Sequence, residues 1–282
     1  MSLGVLNNIA AIYAQNNLNQ TQSSLQSTLQ QLSSGSRISS GADDAAGLAV
    51  ADGLAANEAA LTQSASNASN GVGLLQTADG ALAQVTNLLN RAVTLATEAS
   101  NGTLNSSQLS SANEEYQSIL TEIGNIGSST NFNGNALFSA TATNIVVSDG
   151  TTSGTTTFAE TVGALTTASV GTTTAGAGED LSATVLSTSA GALAALSKIS
   201  TAISDVAYQR GSIGANINQL NAAANVASSE NVNLTAAESN IRSTDYGQAA
   251  SNLSKYQVLS QTGISALAQA NSVQQEVLKL LQ

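Results

Sequence analysis

Two pairs of adjacent carboxylates, Asp43–Asp44 and Glu114–Glu115, have the residue types and spacing that acid–base chemistry could use. Both pairs fall where we expect helices to begin. A carboxylate in the first turn of a helix is stabilised by the helix dipole without any catalytic role. We therefore interpret both pairs as helix-terminal charges and predict no catalytic residues.

The sequence contains no His and no Cys. Structural and His-based catalytic zinc sites need these residues, as do Ser-His-Asp and Cys-His nucleophile pairs and haem or iron–sulfur ligation. A metallopeptidase helix likewise needs paired His. The sequence predicts a protein that is not an enzyme, with no metal site and no cofactor-binding site.

Charge and hydropathy narrow the range of partners. The formal net charge of −11 disfavours nucleic acid, whose phosphates would be repelled, and an aromatic content of 3% offers few stacking platforms for single strands. No apolar run is long enough to cross a membrane. The N-terminus lacks the features of a cleaved signal peptide, which predicts a cytoplasmic protein unless export uses an uncleaved N-terminus.

A strict seven-residue step of apolar residues predicts one long helix over about residues 43–99. This spacing is typical of helices that wrap around partners in a left-handed sense. Ser40 to Asp43 resembles a capping box at the start of this helix, and Asn101-Gly102 is a plausible stop. The positions of the step are Leu54, Leu61, Ala68, Leu75, Leu82, Leu89 and Ala96.

Two further segments have mainly apolar residues at spacings of three and four, and these stripes predict helices over residues 109–126 and 217–241. In the second stripe, Asn231 and Glu238 are polar. Such positions fix register among helices or meet a neighbouring molecule. Between about 129 and 190, Thr, Ser, Gly and Ala predict short strands, for example at 144–147 and 155–158. The fold class is therefore mainly α: a long coiled-coil-like bundle formed by the N- and C-terminal regions, with a small β-containing central insert.

Both ends of the chain carry apolar stripes that a pair of helices cannot bury by itself. Two interpretations remain open: the terminal helices pack on the body of the same chain, or they associate with other copies. The candidate self-assembly residues are Val5, Ile9, Ile12, Leu18, Leu25, Leu29, Leu32, Leu253, Tyr256, Ile264, Leu267, Val277, Leu278 and Leu281.

Residues 32–54, LSSGSRISSGADDAAGLAVADGL, resemble the bacterial flagellin signature LSSGxRINSAxDDAAGxAI. QNNLN at 15–19, LTQSASNASNG at 61–71 and the tail from Ile241 to Gln282 are also similar to flagellins. The departures are Ser39 where Asn is usual, Gly41 and Ala42 in place of Ala and a variable polar residue, and Gln274 where Pro is common. None of them breaks the helical pattern.

The resemblance implies a structural subunit that polymerises into the flagellar filament for swimming motility. It implies inner-tube terminal helices (1–33 with 245–282), a spoke linker (34–45), an outer-tube bundle (46–128 with 191–240) and an insert (129–190) that projects from the surface. It also implies export of the unfolded chain by the flagellar type III apparatus and folding on assembly outside the cell, in the flagellum. The implied partners are other flagellin subunits, the cap and hook-junction proteins, and an export chaperone.

Recognition by the vertebrate Toll-like flagellin receptor is a second role that the resemblance implies. Asn90, Arg91, Leu95 and Glu115 stand at the matching positions. The alternative interpretation is that Arg91 and Glu115 form a solvated charge pair and that Leu95 is a core residue of the long helix. A hook–filament junction protein of the flagellin-like family is the alternative to a filament subunit.

Overall fold

The computed structural model describes residues 8–139, 141–148, 157–173 and 176–280. Most of this part of the chain is helical, which confirms the predicted fold class. The helices are α1 (Ile9–Ser34), α2 (Ala45–Ser100), α3 (Ser106–Ser129), α4 (Ser189–Arg242) and α5 (Tyr246–Leu280).

The strands lie between α3 and α4 and form three antiparallel hairpins in chain order. In the first hairpin, Asn133 and Gly134 both have positive φ, which suits the two-residue turns of hairpins. The strands are β1 (Asn131–Phe132), β2 (Asn135–Ala136), β3 (Thr143–Val146), β4 (Thr157–Glu160), β5 (Val170–Thr173) and β6 (Gly176–Glu179). The strands predicted near 144 and 155 correspond to β3 and β4, shifted by one or two residues.

The chain divides into two compact units. Unit 1 comprises Met1–Ala56 and Asn233–Gln282, and unit 2 comprises Asn57–Val232. Helix α1, helix α5 and the ends of α2 and α4 belong to unit 1. The remainder of α2 and α4, helix α3 and the hairpins belong to unit 2.

The seven-residue step on α2 forms one wall of the core of unit 2. From Leu61 to Ala96 every position of the step is buried. Leu54, at the start of the step, lies in unit 1 and is half-buried. Burial of each Leu contributes roughly 1.5–3 kcal/mol, so this stripe is a major source of the stability of unit 2.

Two acidic residues shape the start of α2. The Asp43 carboxylate accepts hydrogen bonds from the N–H groups of Ser39 and Ser40, at 3.0 and 2.9 Å, and so closes the turn before the helix. Asp44 then caps the helix, because its Oδ1 accepts the N–H of Gly47 at 2.8 Å. Helix α2 therefore begins at Ala45, two residues later than predicted. It ends at Ser100, just before Gly102 in the left-handed region.

The start of α3 differs from the prediction. Asn105 and Gln108 form a reciprocal capping box, in which each side chain accepts the other residue's backbone N–H at 3.0 Å. The helix consequently begins at Ser106. The Glu114–Glu115 pair lies well inside α3, so its interpretation as a helix-terminal pair was wrong.

The polar stripe position Asn231 joins α4 to α2 within unit 2. Its Nδ2 donates to the carbonyl of Glu58 at 2.8 Å and to Thr62 Oγ1 at 3.1 Å. Glu238, the other polar stripe position, instead accepts a hydrogen bond from Arg242 at 3.0 Å on the same helix. A further contact between α4 and α2 is the ion pair of Arg210 with Asp79 at 2.7 Å.

Over its described residues, the insert does not build a core of its own. Its buried apolar side chains join the same hydrophobic cluster as α2, α3 and α4. Among the described glycines, the closest backbone approach is at Gly127 on α3, where an added Cβ would lie 1.9 Å from the carbonyl oxygen of Leu165. The structure packs these buried side chains against the helices of unit 2, and projection of the insert from a filament surface stays a prediction. The buried side chains are Leu137, Phe138, Ile145, Val162, Leu165, Val170, Leu181 and Leu186.

Candidate self-assembly surface

Helices α1 and α5 form an antiparallel pair in unit 1. At one end, Asn8 caps α1 by accepting the N–H of Ala11, and its Nδ2 donates to the carbonyl of Ala270 at 3.0 Å. At the other end, the N–H of Thr244 donates to the carbonyl of Gly35 at 3.0 Å. These bonds fix the register of the two helices over almost the whole length of α1.

Leu18 is the central apolar contact of this pair. It is only 8% exposed, and it lies against Gly263 of α5, where an added Cβ would come within 3.3 Å of Leu18 Cδ1. The absence of a side chain at residue 263 lets α5 approach α1 closely. Leu18 is therefore covered inside the chain, unlike most other predicted self-assembly residues.

The remaining predicted self-assembly residues are incompletely covered. Ile9, Ile12, Leu29 and Ile264 are exposed, with Ile9 at 58%. Leu25, Leu32, Leu253, Tyr256 and Leu267 are half-buried. Val5 and Leu281 lie outside the described residues, and the same holds for the side chains of Val277 and Leu278.

Besides Tyr246 at the start of α5, four exposed apolar residues on these helices were not predicted from the sequence: Tyr13, Val258, Leu259 and Val273. A search for one stripe per helix selects one face, whereas these helices expose apolar side chains outside the chosen stripe. The presence of Tyr next to Ile12 and of Leu next to Val258 was the available signal. We call the following eight residues the exposed apolar set: Ile9, Ile12, Tyr13, Leu29, Val258, Leu259, Ile264 and Val273.

Asp43, Asp44 and Glu115, three of the four carboxylates considered for acid–base chemistry, have structural partners. Hydrogen bonds from the backbone of Ser39 and Ser40 lower the pKa of Asp43, and the hydrogen bond from Arg91 lowers the pKa of Glu115. Among the described residues, no group of three or more acidic side chains is placed to hold a metal ion. Over the same residues, no helix has the length and apolar character needed to cross a bilayer.

The candidate receptor-contact residues do not share one environment. Arg91 Nε lies 2.7 Å from Glu115 Oε1, and both side chains are about half exposed. Asn90 is exposed, whereas Leu95 is only 3% exposed within the core cluster. A partner could reach Asn90, Arg91 and Glu115, while the burial of Leu95 reflects its packing among the helices of unit 2.

The fold and the exposed apolar set define a helical protein whose terminal helices leave apolar surface uncovered. Comparison with known proteins identifies the class. Residues 5–143 match the bacterial flagellin N-terminal helical region, and residues 196–281 match the bacterial flagellin C-terminal helical region. The chain belongs to the flagellin family, which is a family of structural proteins.

Individual relatives agree with this assignment. The phase 1 flagellin of Salmonella naestved and the flagellin of Salmonella budapest are each 45% identical over 127 residues, which is 45% of this chain and 25% of theirs. The chain thus matches about a quarter of the length of these curated relatives. A flagellar hook-associated protein from Vibrio parahaemolyticus has a similar fold, with a TM-score of 0.57 and 17% identity over 71% of this chain and all of that chain.

Proposed function

We propose that this chain is a structural subunit that polymerises through its two terminal helical regions into the bacterial flagellar filament, for swimming motility. The exposed apolar set of α1 and α5 is the observation that carries the proposal. Each such side chain gains roughly 1.5–3 kcal/mol on full burial. The free energy gained by burying eight half-exposed side chains is together comparable with the roughly 4–15 kcal/mol that association costs. Other copies of the chain would supply the cover.

The proposal assigns roles to segments of the chain. Residues 1–33 with 245–282 would form the inner tube, residues 34–45 the spoke, and residues 46–128 with 191–240 the outer tube. Residues 129–190 would form the surface of the filament. Support comes from the flagellin matches at both ends of the chain and from the pairing of α1 with α5.

Folding would be coupled to assembly, because apolar faces with little intramolecular cover gain order when neighbouring subunits arrive. Deleting residues 254–282 removes half of the exposed apolar set. We expect a soluble helical monomer by circular dichroism and sedimentation, and no elongation of filament seeds by electron microscopy. Filaments of normal length from the truncated chain would refute the proposal.

The family membership also supports export of the unfolded subunit by the flagellar type III apparatus, with a chaperone before export and the cap and hook-junction proteins at the site of assembly. The working location would then be extracellular, in the flagellum. Secretion into the medium should stop in a strain that lacks the export apparatus. Continued secretion in that strain would contradict this route.

A hook–filament junction protein is the alternative. The fold of this chain is similar to that of a hook-associated protein, and this similarity is compatible with either role. The two differ in copy number and location. A strain lacking this chain should lose the whole filament and keep its hook and junction proteins. If the strain lacking this chain still makes filament subunits that can polymerise, but releases them unassembled, the junction role would be favoured.

Receptor recognition is a further part of the proposal, with Asn90, Arg91 and Glu115 as the accessible candidates and Leu95 supporting them from the core. The Arg91–Glu115 pair is solvent-exposed, so its own contribution to folding is small. Arg91→Ala should therefore reduce signalling through the Toll-like flagellin receptor and leave the fold intact. Unchanged signalling by that variant would count against these contacts.

A further inference from the structure

The sequence contains three Asn-Gly pairs, Asn70-Gly71, Asn101-Gly102 and Asn133-Gly134. Asn is a thermolabile residue, and a following glycine favours its reaction with the backbone, because no Cβ hinders approach of the glycine nitrogen to the side-chain amide carbon. The reaction requires a glycine nitrogen that is not held in a hydrogen bond and a peptide that can rotate. The backbone around each pair therefore decides which of them can react.

The Asn side chains of the three pairs have similar surroundings. Asn70, Asn101 and Asn133 are all exposed to solvent. Within the described residues, none of these three side chains takes part in a hydrogen bond. The difference between the pairs consequently lies in the glycine that follows each Asn.

Gly71 is held in the interior of α2. The helix is continuous from Ala45 to Ser100, so the N–H of Gly71 belongs to its ladder of hydrogen bonds. Gly71 is also buried, and an added Cβ would lie 2.5 Å from Ile145 Cδ1 and 3.0 Å from Leu220 Cδ1. Rotation of this peptide towards the side chain of Asn70 would disrupt both the helix and its packing.

Gly102 lies just beyond the end of α2 and is exposed, as is Asn101. It has a φ of +69°, and no atom lies within 4 Å of the position that a Cβ would occupy. The N–H of Asn101 still donates to the carbonyl of Glu98 at 3.3 Å, whereas the N–H of Gly102 donates no hydrogen bond within the described residues. The nitrogen of Gly102 can therefore approach the side chain of Asn101.

Asn133 and Gly134 form the two-residue turn of the β1–β2 hairpin, with φ values of +53° and +82°. Both are exposed, and the N–H of Gly134 lies outside the ladder that pairs Phe132 with Asn135. Each strand of this hairpin has only two residues, and short two-stranded hairpins are marginally stable. Opening this turn should cost far less free energy than opening the interior of α2.

We propose that Asn101 and Asn133 convert spontaneously to aspartate and isoaspartate in the folded protein, whereas α2 protects Asn70. The glycine nitrogen forms a bond with the side-chain amide carbon, and the bond from that carbon to the side-chain nitrogen breaks. The side-chain nitrogen leaves as ammonia, which takes up the proton of the glycine N–H. Water then opens the cyclic imide: attack at the side-chain carbonyl gives aspartate, and attack at the backbone carbonyl gives isoaspartate.

The conversion changes the charge and the backbone of the protein without oxidation or reduction, and water is its only co-reactant. Each converted residue adds a negative charge to a chain that already carries a formal net charge of −11. Isoaspartate also lengthens the main chain by a methylene group, at Asn101 in the connection between α2 and α3. The converted fractions at Asn101 and Asn133 should increase with the age of the chain, with Asn70 as an internal reference.

The test is incubation of the purified full-length chain at neutral and mildly alkaline pH, followed by peptide mapping with mass spectrometry. Conversion is detected by the mass gained when a carboxylate replaces an amide, and isoaspartate by its separate chromatographic retention. Asn101 and Asn133 should each convert at least about tenfold faster than Asn70, because the helix interior opens far less often than exposed turns. Both rates should rise with pH, since the deprotonated glycine nitrogen is the attacking group.

Two controls separate the effect of the backbone from that of the sequence. In urea that unfolds the chain, the three Asn residues should convert at similar rates, because the helix no longer protects Asn70. Asn101→Gln, which lengthens the side chain and keeps its amide, should abolish the signal at this position and leave that of Asn133 unchanged. Conversion of Asn70 in the folded chain as fast as that of Asn101 and Asn133 would overturn the proposal. Absence of conversion at Asn101 or Asn133 in the folded chain, while all three convert in urea, would overturn the assignment at that position.

Discussion

Asn231 occupies a position that the helical period assigns to the inner face of α4, although its side chain is an amide. The structure provides a reason: its Nδ2 donates to the carbonyl of Glu58 and to Thr62 Oγ1 on α2. An apolar residue at this position could slide along α2, whereas two directed hydrogen bonds define one register. This agrees with the expectation that polar stripe positions fix the alignment of helices.

Asn231→Ala should therefore destabilise unit 2 by about 1–2 kcal/mol, because the two hydrogen bonds are lost while Ala gains some helix propensity. Asn221→Ala is the matched control: Asn221 is exposed on the same helix, so this variant should gain propensity and lose nothing. Urea denaturation followed by circular dichroism measures the difference. Equal stability of the two variants would show that the Asn231 contacts do not hold the helices.

At the scale of elements, periodicity predicted the helices well and the insert only in part. The step from Leu61 to Ala96 on α2 is buried throughout, because a heptad repeat directly encodes one face of a helix. Segment 129–190 carries no such period. Its burial depends on close approaches, such as Gly127 against the carbonyl of Leu165. A glycine in a sequence does not reveal which backbone will lie against it.

The glycines of α3 offer a direct test of that close approach. Gly127→Ala would place a Cβ 1.9 Å from the Leu165 carbonyl oxygen, whereas a Cβ on Gly124 would meet Thr167 Cγ2 at an ordinary 3.8 Å. Gly127→Ala should destabilise the protein by about 1–3 kcal/mol through overpacking. Gly124→Ala should stabilise it by up to about 1 kcal/mol through helix propensity.

Thermal unfolding of the two variants alongside the wild type separates these outcomes, since both make the same chemical change in the same helix. Opposite shifts of the midpoint are expected. A stabilising Gly127→Ala substitution would mean that the insert does not pack against α3 as described.

For the whole molecule, the important distinction is between apolar residues that fold the chain and those left for a partner. The sequence stripe grouped Leu18 with Ile9 and Ile12, because periodicity identifies a face and not what covers it. The structure separates them: Leu18 is covered by α5 at Gly263, whereas Ile9 and Ile12 stay exposed. Folding and assembly can thus be altered by different substitutions in the same helix.

Leu18→Ala should loosen the α1–α5 pair in the free subunit by about 2–5 kcal/mol, as expected for truncation of a buried Leu, and lower the helical content of the monomer. Ile12→Asn and Val258→Asn change exposed side chains and should alter monomer stability by no more than about 0.5–1 kcal/mol. Either Asn variant should nevertheless fail to elongate filament seeds, because a subunit contact would bury its amide without a matching partner.

Circular dichroism measures the effect of Leu18→Ala on the monomer, and light scattering with added seeds measures the effect of the Asn variants on elongation. If Ile12→Asn and Val258→Asn elongate seeds at the wild-type rate while Leu18→Ala alone fails, assembly depends on the internal order of the helix pair, and the exposed apolar set is not the contact surface.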